Sequence, residues 1–96
     1  MAGGLHIVVN GRVQGVGFRA WTVEQARTLN LAGFVRNRID GTVDIQVAGP
    51  PERLSQFLKL VEQGPPLAWV SDLAQRELTP EEQGALPQVF QHTATA

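Results

Sequence analysis

The stretch that decides the fold is "AGFVRNRIDGTVDIQVAG", Ala32 to Gly49. Its central pair, Asp40-Gly41, separates two runs of β-forming residues, and this is the strongest short-range signal of a β-hairpin. In the second run apolar and polar residues alternate, so one side of that strand is apolar. The apolar positions are Val43, Ile45 and Val47. The stretch therefore predicts two antiparallel strands, with Asp44 on the solvent face of the second.

Upstream of the hairpin the sequence predicts one strand and one helix. Apolar residues occupy odd positions from residue 5 to residue 13, which is typical of a half-buried strand. They are Leu5, Ile7, Val9 and Val13. Residues 19–31 contain neither proline nor glycine and are compatible with a helix. Its predicted core face consists of Trp21, Val23, Ala26 and Leu29.

Downstream of the hairpin, residues 50–64 predict a second helix, because apolar residues recur at helical spacing after a proline. These residues are Leu54, Phe57, Leu58 and Val61. Residues 67–78 predict another strand, whose irregular alternation favours a bulge. "TPEE", Thr79 to Glu82, resembles a capping box and predicts one helical turn. Residues 86–92 predict a short edge strand.

The resulting order is strand, helix, strand, strand, helix, strand. Two helices can cover one face of an antiparallel sheet and leave the other face in water. The sequence therefore predicts an α+β, two-layer sandwich of the βαββαβ type, with a short additional C-terminal edge strand. We expect residues 1–96 to form a single domain, because their length and 43% hydrophobic content suffice for one modest core.

Composition excludes several classes of function. The chain has no cysteine, which rules out disulfides, thiolate nucleophiles and cysteine metal sites. A formal net charge of -1 argues against binding to nucleic acid, which usually needs a strongly basic face. No apolar run approaches the length of a membrane span, roughly 18 residues. We expect a monomeric, cytoplasmic protein with no membrane partner.

The segment "QGVGFR", Gln14 to Arg19, lies between the first strand and the first helix. Gly15 and Gly17 allow backbone angles that could direct successive N–H groups at one point, and the helix start adds unpaired donors. Arg19 adds a permanent charge whose forked donors match the oxygens of a phosphate. The alternative is an ordinary turn with a solvated arginine. The residues alone leave both interpretations open.

Asn37 lies between Val35 and Ile39 at the same parity, so all three are expected to face the core. A buried amide without a partner costs roughly 1–3 kcal/mol, so its side chain should bond to something nearby. It either holds a loop backbone or positions a ligand or water, since an amide both donates and accepts. His6 and His92 lack metal-ligand spacing, and we expect surface or structural roles for them and no metal site.

At these residues the sequence resembles the acylphosphatase family, enzymes that hydrolyse carboxyl-phosphate anhydrides. Two independent blocks carry the resemblance: "VNGRVQGVGFR", Val9 to Arg19, and "GFVRNRIDGTVDIQVAG", Gly33 to Gly49. The resemblance implies a ferredoxin-like fold with sheet order 4-1-3-2 and an added edge strand. The last strand departs from the family pattern, which often has isoleucine at the place where this chain has His92.

The resemblance also implies residue roles. Arg19 corresponds to the phosphate-binding arginine, and Asn37 to the residue that orients the attacking water. The backbone of Gln14, Gly15, Val16, Gly17 and Phe18 would complete the phosphate cradle. The implied reaction converts an acyl phosphate to carboxylate and inorganic phosphate without a cofactor. The alternative is a non-enzymatic ferredoxin-like module that binds anions, proteins or RNA.

Overall fold

The structure is a computed structural model that describes residues 3–96. Its five strands are β1 (Gly3–Arg12), β2 (Ala32–Asn37), β3 (Val43–Gly49), β4 (Trp69–Glu77) and β5 (Gln91–His92). Its helices are α1 (Phe18–Thr28), α2 (Pro51–Gln63) and the short α3 (Pro80–Gly84). The predicted βαββαβ order is confirmed, as are the capping box of Thr79 with Glu82 and the short C-terminal strand.

The strands form one sheet in the order β4-β1-β3-β2-β5. The strands β4, β1, β3 and β2 pair with one another antiparallel, whereas β5 pairs with β2 in parallel, so the sheet is mixed. The predicted bulge occurs in β4, where Asn10 lies opposite Asp72 and Gly11 opposite Val70. Ser71 is the extra residue between them. The sheet thus places β2 between its hairpin partner β3 and the C-terminal strand β5.

The core lies between the sheet and the two long helices. The apolar faces of β1 and β3 are buried as predicted, and so is the apolar stripe of α2. In α1 the predicted face packs on the core, with Ala26 buried and Trp21, Val23 and Leu29 partly buried. The helix begins one residue earlier than predicted, at Phe18, and also buries Phe18 and Thr22. Thr22 can be buried because its hydroxyl donates to the Phe18 carbonyl at 2.8 Å. Phe90 is fully buried and packs on Phe57, with ring centroids 6.2 Å apart.

Ile39 does not face the core, and that prediction was wrong. It is 89% exposed because β2 ends at Asn37 and the chain then turns. The turn is closed by the N–H of Arg38, which donates to the Thr42 carbonyl at 2.9 Å. The alternation of a strand places side chains only as far as the strand extends. Ile39 therefore belongs to the turn and Val35 to the core.

Asp44 was predicted on the solvent face, but it is 1% exposed. It does lie on the face of the sheet opposite the helices, where neighbouring side chains cover it. Its Oδ1 bonds Nε2 of His6, and its Oδ2 accepts from Nε of Arg36 at 2.9 Å. The Arg36 guanidinium in turn lies 5.3 Å from the Phe34 ring centroid. We call His6, Arg36 and Asp44 the sheet-face cluster.

Within residues 3–96, every helix is too short or too polar to cross a membrane.

Candidate active site

The loop between β1 and α1 turns through two glycines with positive φ. Gly15 has φ 74° and Gly17 has φ 78°. A Cβ at either position would meet nothing within 4 Å, so the backbone angle and not crowding favours glycine. Gly17 is also the N-cap of α1 and provides no capping side chain. The first-turn N–H groups of α1 therefore have neither an intrahelical acceptor nor a capping side chain.

Arg19 is in the first turn of α1, which contains no acidic residue. It borders a cavity of about 150 Å³ at the start of the helix. The cavity is lined by Val13, Gly15, Gly17, Phe18, Arg19, Ala20 and His92. A helix N-terminus carries a partial positive charge, and Arg19 adds a full one. With no carboxylate in this lining, the cavity is suited to an oxyanion.

His92 is the site residue that sequence reasoning missed. Its Nε2 lies 2.7 Å from Nη1 of Arg19, although the two residues are 73 positions apart in the chain. The sequence held one signal, the departure from the family pattern at this position. That signal could not reveal the contact, because the parallel pairing of β5 with β2 brings the residues together.

Gln14 joins the loop to the β2–β3 hairpin. Its side-chain amide donates to the carbonyls of Arg38 and Thr42, each at 2.8 Å. The backbone of Gln14 was predicted to bind phosphate, but Gln14 does not line the cavity. The backbone of Val16 was predicted likewise; its side chain packs against the core, and phosphate binding by the two backbones stays a prediction. The structure thus brings Gly15, Gly17, Phe18 and Arg19 to the cavity and uses Gln14 as a clamp.

Asn37 is the last residue of β2, next to the carbonyl that Gln14 holds. Its Oδ1 is buried and has no hydrogen-bond partner among residues 3–96. Of the two alternatives for this side chain, its oxygen does not hold a loop backbone, and the positioning of a ligand or water stays a prediction. The Asn37 backbone is fixed from the other side, where its carbonyl accepts from the N–H of Ala96 at 3.1 Å. Asn37 does not line the 150 Å³ cavity.

Asp40 stabilises the hairpin turn, as predicted. Its Oδ1 accepts from the hydroxyl of Thr42 at 2.7 Å and from the Thr42 N–H at 3.0 Å. These bonds, the hydroxyl's first, lower the pKa of Asp40, and Arg38 nearby adds a smaller decrease. The ionised aspartate therefore fixes the turn that follows Asn37.

A larger depression of about 470 Å³ lies at the other end of β1. Glycine, leucine and proline make up most of its wall, and Glu77 is its one charged lining residue. An acidic, apolar surface disfavours a phosphoryl group, so the smaller cavity beside Arg19 is the candidate site. Among residues 3–96, no three His, Asp or Glu side chains are grouped so as to hold a metal ion.

The sequence model of the acylphosphatase family matches residues 5–90 of the chain. An acylphosphatase of Acidiphilium cryptum is 51% identical over 70 residues, which cover 73% of this chain and 77% of the relative. An acylphosphatase of Bacillus licheniformis is 49% identical over 71 residues, covering 74% and 79%. The family match includes both blocks, the one that carries Arg19 and the one that carries Asn37.

Solved structures agree with the sequence comparison. The crystal structure of acylphosphatase from Bacillus subtilis superposes with a TM-score of 0.87 at 38% identity. The superposition covers 97% of this chain and 99% of that one, so it extends over all eight elements. The similarity confirms the predicted ferredoxin-like fold with its additional strand.

Proposed function

The chain belongs to the acylphosphatase family, enzymes that hydrolyse acyl phosphates, and on this premise we propose that Arg19 and Asn37 carry the reaction. In the proposed reaction, water attacks the phosphorus in line with the acyl oxygen. The bond between phosphorus and that oxygen breaks, and carboxylate and inorganic phosphate leave. Arg19 and the start of α1 bind the phosphoryl group, while Asn37 orients the water.

The phosphoryl group is bound by charge and geometry. The guanidinium of Arg19 presents parallel donors that match two phosphoryl oxygens, and the first-turn N–H groups of α1 approach from the helix axis. Charge spreads over the equatorial oxygens as the group is transferred. Donors fixed in advance stabilise that charge without rearrangement, so they lower the barrier and do more than bind substrate.

The leaving group needs no protonation. A carboxylate leaves from an acyl phosphate, and its conjugate acid has a pKa of only ~4, so it is stable as an anion at neutral pH. The reaction can then proceed by positioning and electrostatics. A side-chain acid beside the leaving oxygen is unnecessary, which agrees with a cavity lining that contains no carboxylate.

Asn37 is proposed to hold the attacking water through its side-chain amide. The oxygen of that amide has no hydrogen-bond partner among residues 3–96, and an amide can both accept from and donate to a water. The hairpin turn and the Gln14 clamp fix the strand end that carries Asn37 relative to the loop that carries Arg19. This linkage supports a water and a phosphoryl group held in one constant geometry.

The observation that carries the proposal is the cavity itself, in which a helix N-terminus and Arg19 converge and no carboxylate neutralises them. Its test is turnover of benzoyl phosphate by the wild type and by Arg19→Ala. We expect kcat to fall by about 10²–10³, as for removal of a key transition-state donor. We expect Asn37→Ala to lower kcat about a hundredfold, since the attacking water is no longer held in position.

The matched control is Arg53→Ala, which removes the same charge from an exposed position on α2. This variant should keep wild-type turnover, and inorganic phosphate should inhibit it and the wild type competitively. Near-normal turnover of the Arg19 variant would overturn the mechanism. Phosphate binding without turnover by the wild type would instead support the non-enzymatic alternative.

A further inference from the structure

The contact between Arg19 and His92 has a defined direction. A guanidinium has donors and no acceptor, so Nη1 of Arg19 donates and Nε2 of His92 accepts over 2.7 Å. Accepting at Nε2 requires the imidazole tautomer whose hydrogen is on Nδ1. Both residues line the 150 Å³ cavity, so the contact lies at the rim of the proposed phosphoryl site.

The chain on both sides of His92 is firmly held. Phe90 is buried in the core, and its carbonyl accepts from Nε of Arg27 at 2.9 Å. Beyond His92, the N–H of Thr93 donates to the Val35 carbonyl at 3.0 Å. The imidazole therefore extends toward Arg19 from a fixed backbone, which lets it hold the guanidinium in one place.

Arg19 needs such a support. Apart from His92, no hydrogen-bond partner holds its guanidinium among residues 3–96. An arginine side chain with a free guanidinium populates many rotamers, and binding an anion must then select one of them. One N–H donated to His92 leaves the remaining donors of the fork for a phosphoryl group.

We propose that His92 is a positioning residue that preorganises Arg19 for the phosphoryl group by accepting its Nη1 hydrogen bond. The inference rests on the proposed function of Arg19 and adds a residue to that site. Since His92 acts before substrate arrives, its loss weakens binding of substrate and product alike. Once substrate is bound, its own bonds hold the guanidinium, so the effect falls on KM and on phosphate inhibition, while kcat changes little.

The test compares His92→Leu, which removes the acceptor, with His92→Gln, which keeps an acceptor at similar reach. Benzoyl phosphate turnover gives kcat and KM, and its inhibition by inorganic phosphate gives the inhibition constant. We expect His92→Leu to raise KM and the inhibition constant about fivefold, the value of one modest hydrogen bond. His92→Gln should stay within about twofold of the wild type, because its oxygen restores the bond.

Gln91→Leu is the control, since it alters the same strand at a residue that pairs with Phe34 and not with Val35. It should leave KM and the inhibition constant unchanged, and thermal unfolding should show that each variant is folded. Unchanged phosphate inhibition in His92→Leu overturns the inference, and so does equal weakening in His92→Leu and His92→Gln. Arg19→Ala separates the two proposals. If phosphate still inhibits Arg19→Ala, the proposed phosphoryl site itself is wrong. If phosphate inhibition is lost in Arg19→Ala but unchanged in His92→Leu, only the role of His92 is wrong.

Discussion

Arg19 and Arg36 each belong to a group of side chains that contains a histidine, but within residues 3–96 only Arg36 also bonds a carboxylate. In the sheet-face cluster, Asp44 bonds both Arg36 and His6 and is almost fully buried. At the cavity, Arg19 contacts His92 and no Asp or Glu is in the lining. The cluster neutralises its own charge, whereas the cavity keeps a positive charge that an oxyanion can neutralise.

The positions of the two sites in the sheet explain the difference. Asp44 is in β3, where it pairs with Val8 on one side and with Arg36 on the other. A charge in the middle of a sheet has limited access to water and must be compensated by its neighbours. Arg19 lies beyond the end of β1, at a helix start that is open to solvent. The same side-chain types therefore stabilise the fold in one place and leave a binding site in the other.

The strongest test of this comparison is Asp44→Ala, which leaves Arg36 and His6 without their common carboxylate. We expect the free energy of unfolding to fall by about 3 kcal/mol, since breaking a buried ion pair leaves an uncompensated charge. The value is at the low end for such pairs because the Arg36 side chain is 34% exposed and can reach water. Urea unfolding measures it.

Asp72→Ala is the control for this experiment, because Asp72 is an exposed aspartate on the edge strand β4. Its free energy of unfolding should change by no more than about 0.5 kcal/mol. Below the unfolding transition, both variants should turn over benzoyl phosphate like the wild type. A decrease of less than about 1 kcal/mol for Asp44→Ala would show that water, not Asp44, compensates the Arg36 guanidinium.

The sequence predicted those parts of the fold whose signals are local. The Asp40-Gly41 turn, the alternation around Ile45 and the helical stripe of α2 each depend on neighbours along the chain. All three are confirmed. Alternation also placed Asp44 on the correct face, but it cannot tell how completely side chains from adjacent strands cover that face. The burial of Asp44 depends on register across three strands, which no local pattern encodes.

The sequence predicted the part of the candidate site that comes from one continuous segment of the chain. Gly15, Gly17 and Arg19 follow one another along the chain, and the structure brings them to one cavity. His92 was missed because it arrives through the parallel pairing of β5, a long-range contact. Gln14 was assigned to the phosphate through its backbone, whereas the clamp formed by its side chain depends on the fold of the hairpin.

Gln14→Leu measures how much the contacts around the site contribute to the free energy of unfolding. The change removes two hydrogen bonds to the hairpin, but both carbonyl acceptors also bond to other backbone N–H groups. We therefore expect a loss of only about 1 kcal/mol in the free energy of unfolding. Turnover should fall about tenfold, because a small displacement of Asn37 relative to Arg19 disturbs the reacting geometry.

Gln75→Leu provides the control, since it makes the same substitution at an exposed position of β4. It should leave both turnover and unfolding at wild-type values. The comparison between the two regions would need revision if Gln14→Leu were as destabilising as Asp44→Ala. The site would then be part of the stabilising framework and not an addition to it.

The smallest change in stability is expected at the exposed ion pair of Arg76 and Glu82. Comparing this pair with that of Arg36 and the buried Asp44 shows how much burial contributes. Arg76 donates to both carboxylate oxygens of Glu82, at 3.1 and 2.9 Å. This interaction first, and the donated N–H of Thr79 second, lower the pKa of Glu82 from 4.5 to about 2. The pair joins the same kinds of group as Arg36 with Asp44, through two hydrogen bonds where that pair has one, but it lies in water, where such pairs contribute little.

The lowered pKa fixes the sign of the pH dependence. The folded state binds a proton at Glu82 less readily than the unfolded state, so the ionised carboxylate stabilises the fold. This contribution is complete above pH 4.5 and disappears as the pH falls toward about 2.

Glu82→Gln keeps the capping bonds possible but removes the charge. It should therefore be slightly less stable than the wild type at neutral pH, and the difference should shrink as the solution is acidified. Urea unfolding at about pH 7 and about pH 3 measures this difference. If the stability difference between the wild type and Glu82→Gln widened on acidification, its sign would be the reverse of the expected one and the ion pair would not be its cause. If the loss of stability at neutral pH were as large as that of Asp44→Ala, burial would not set the strength of these pairs.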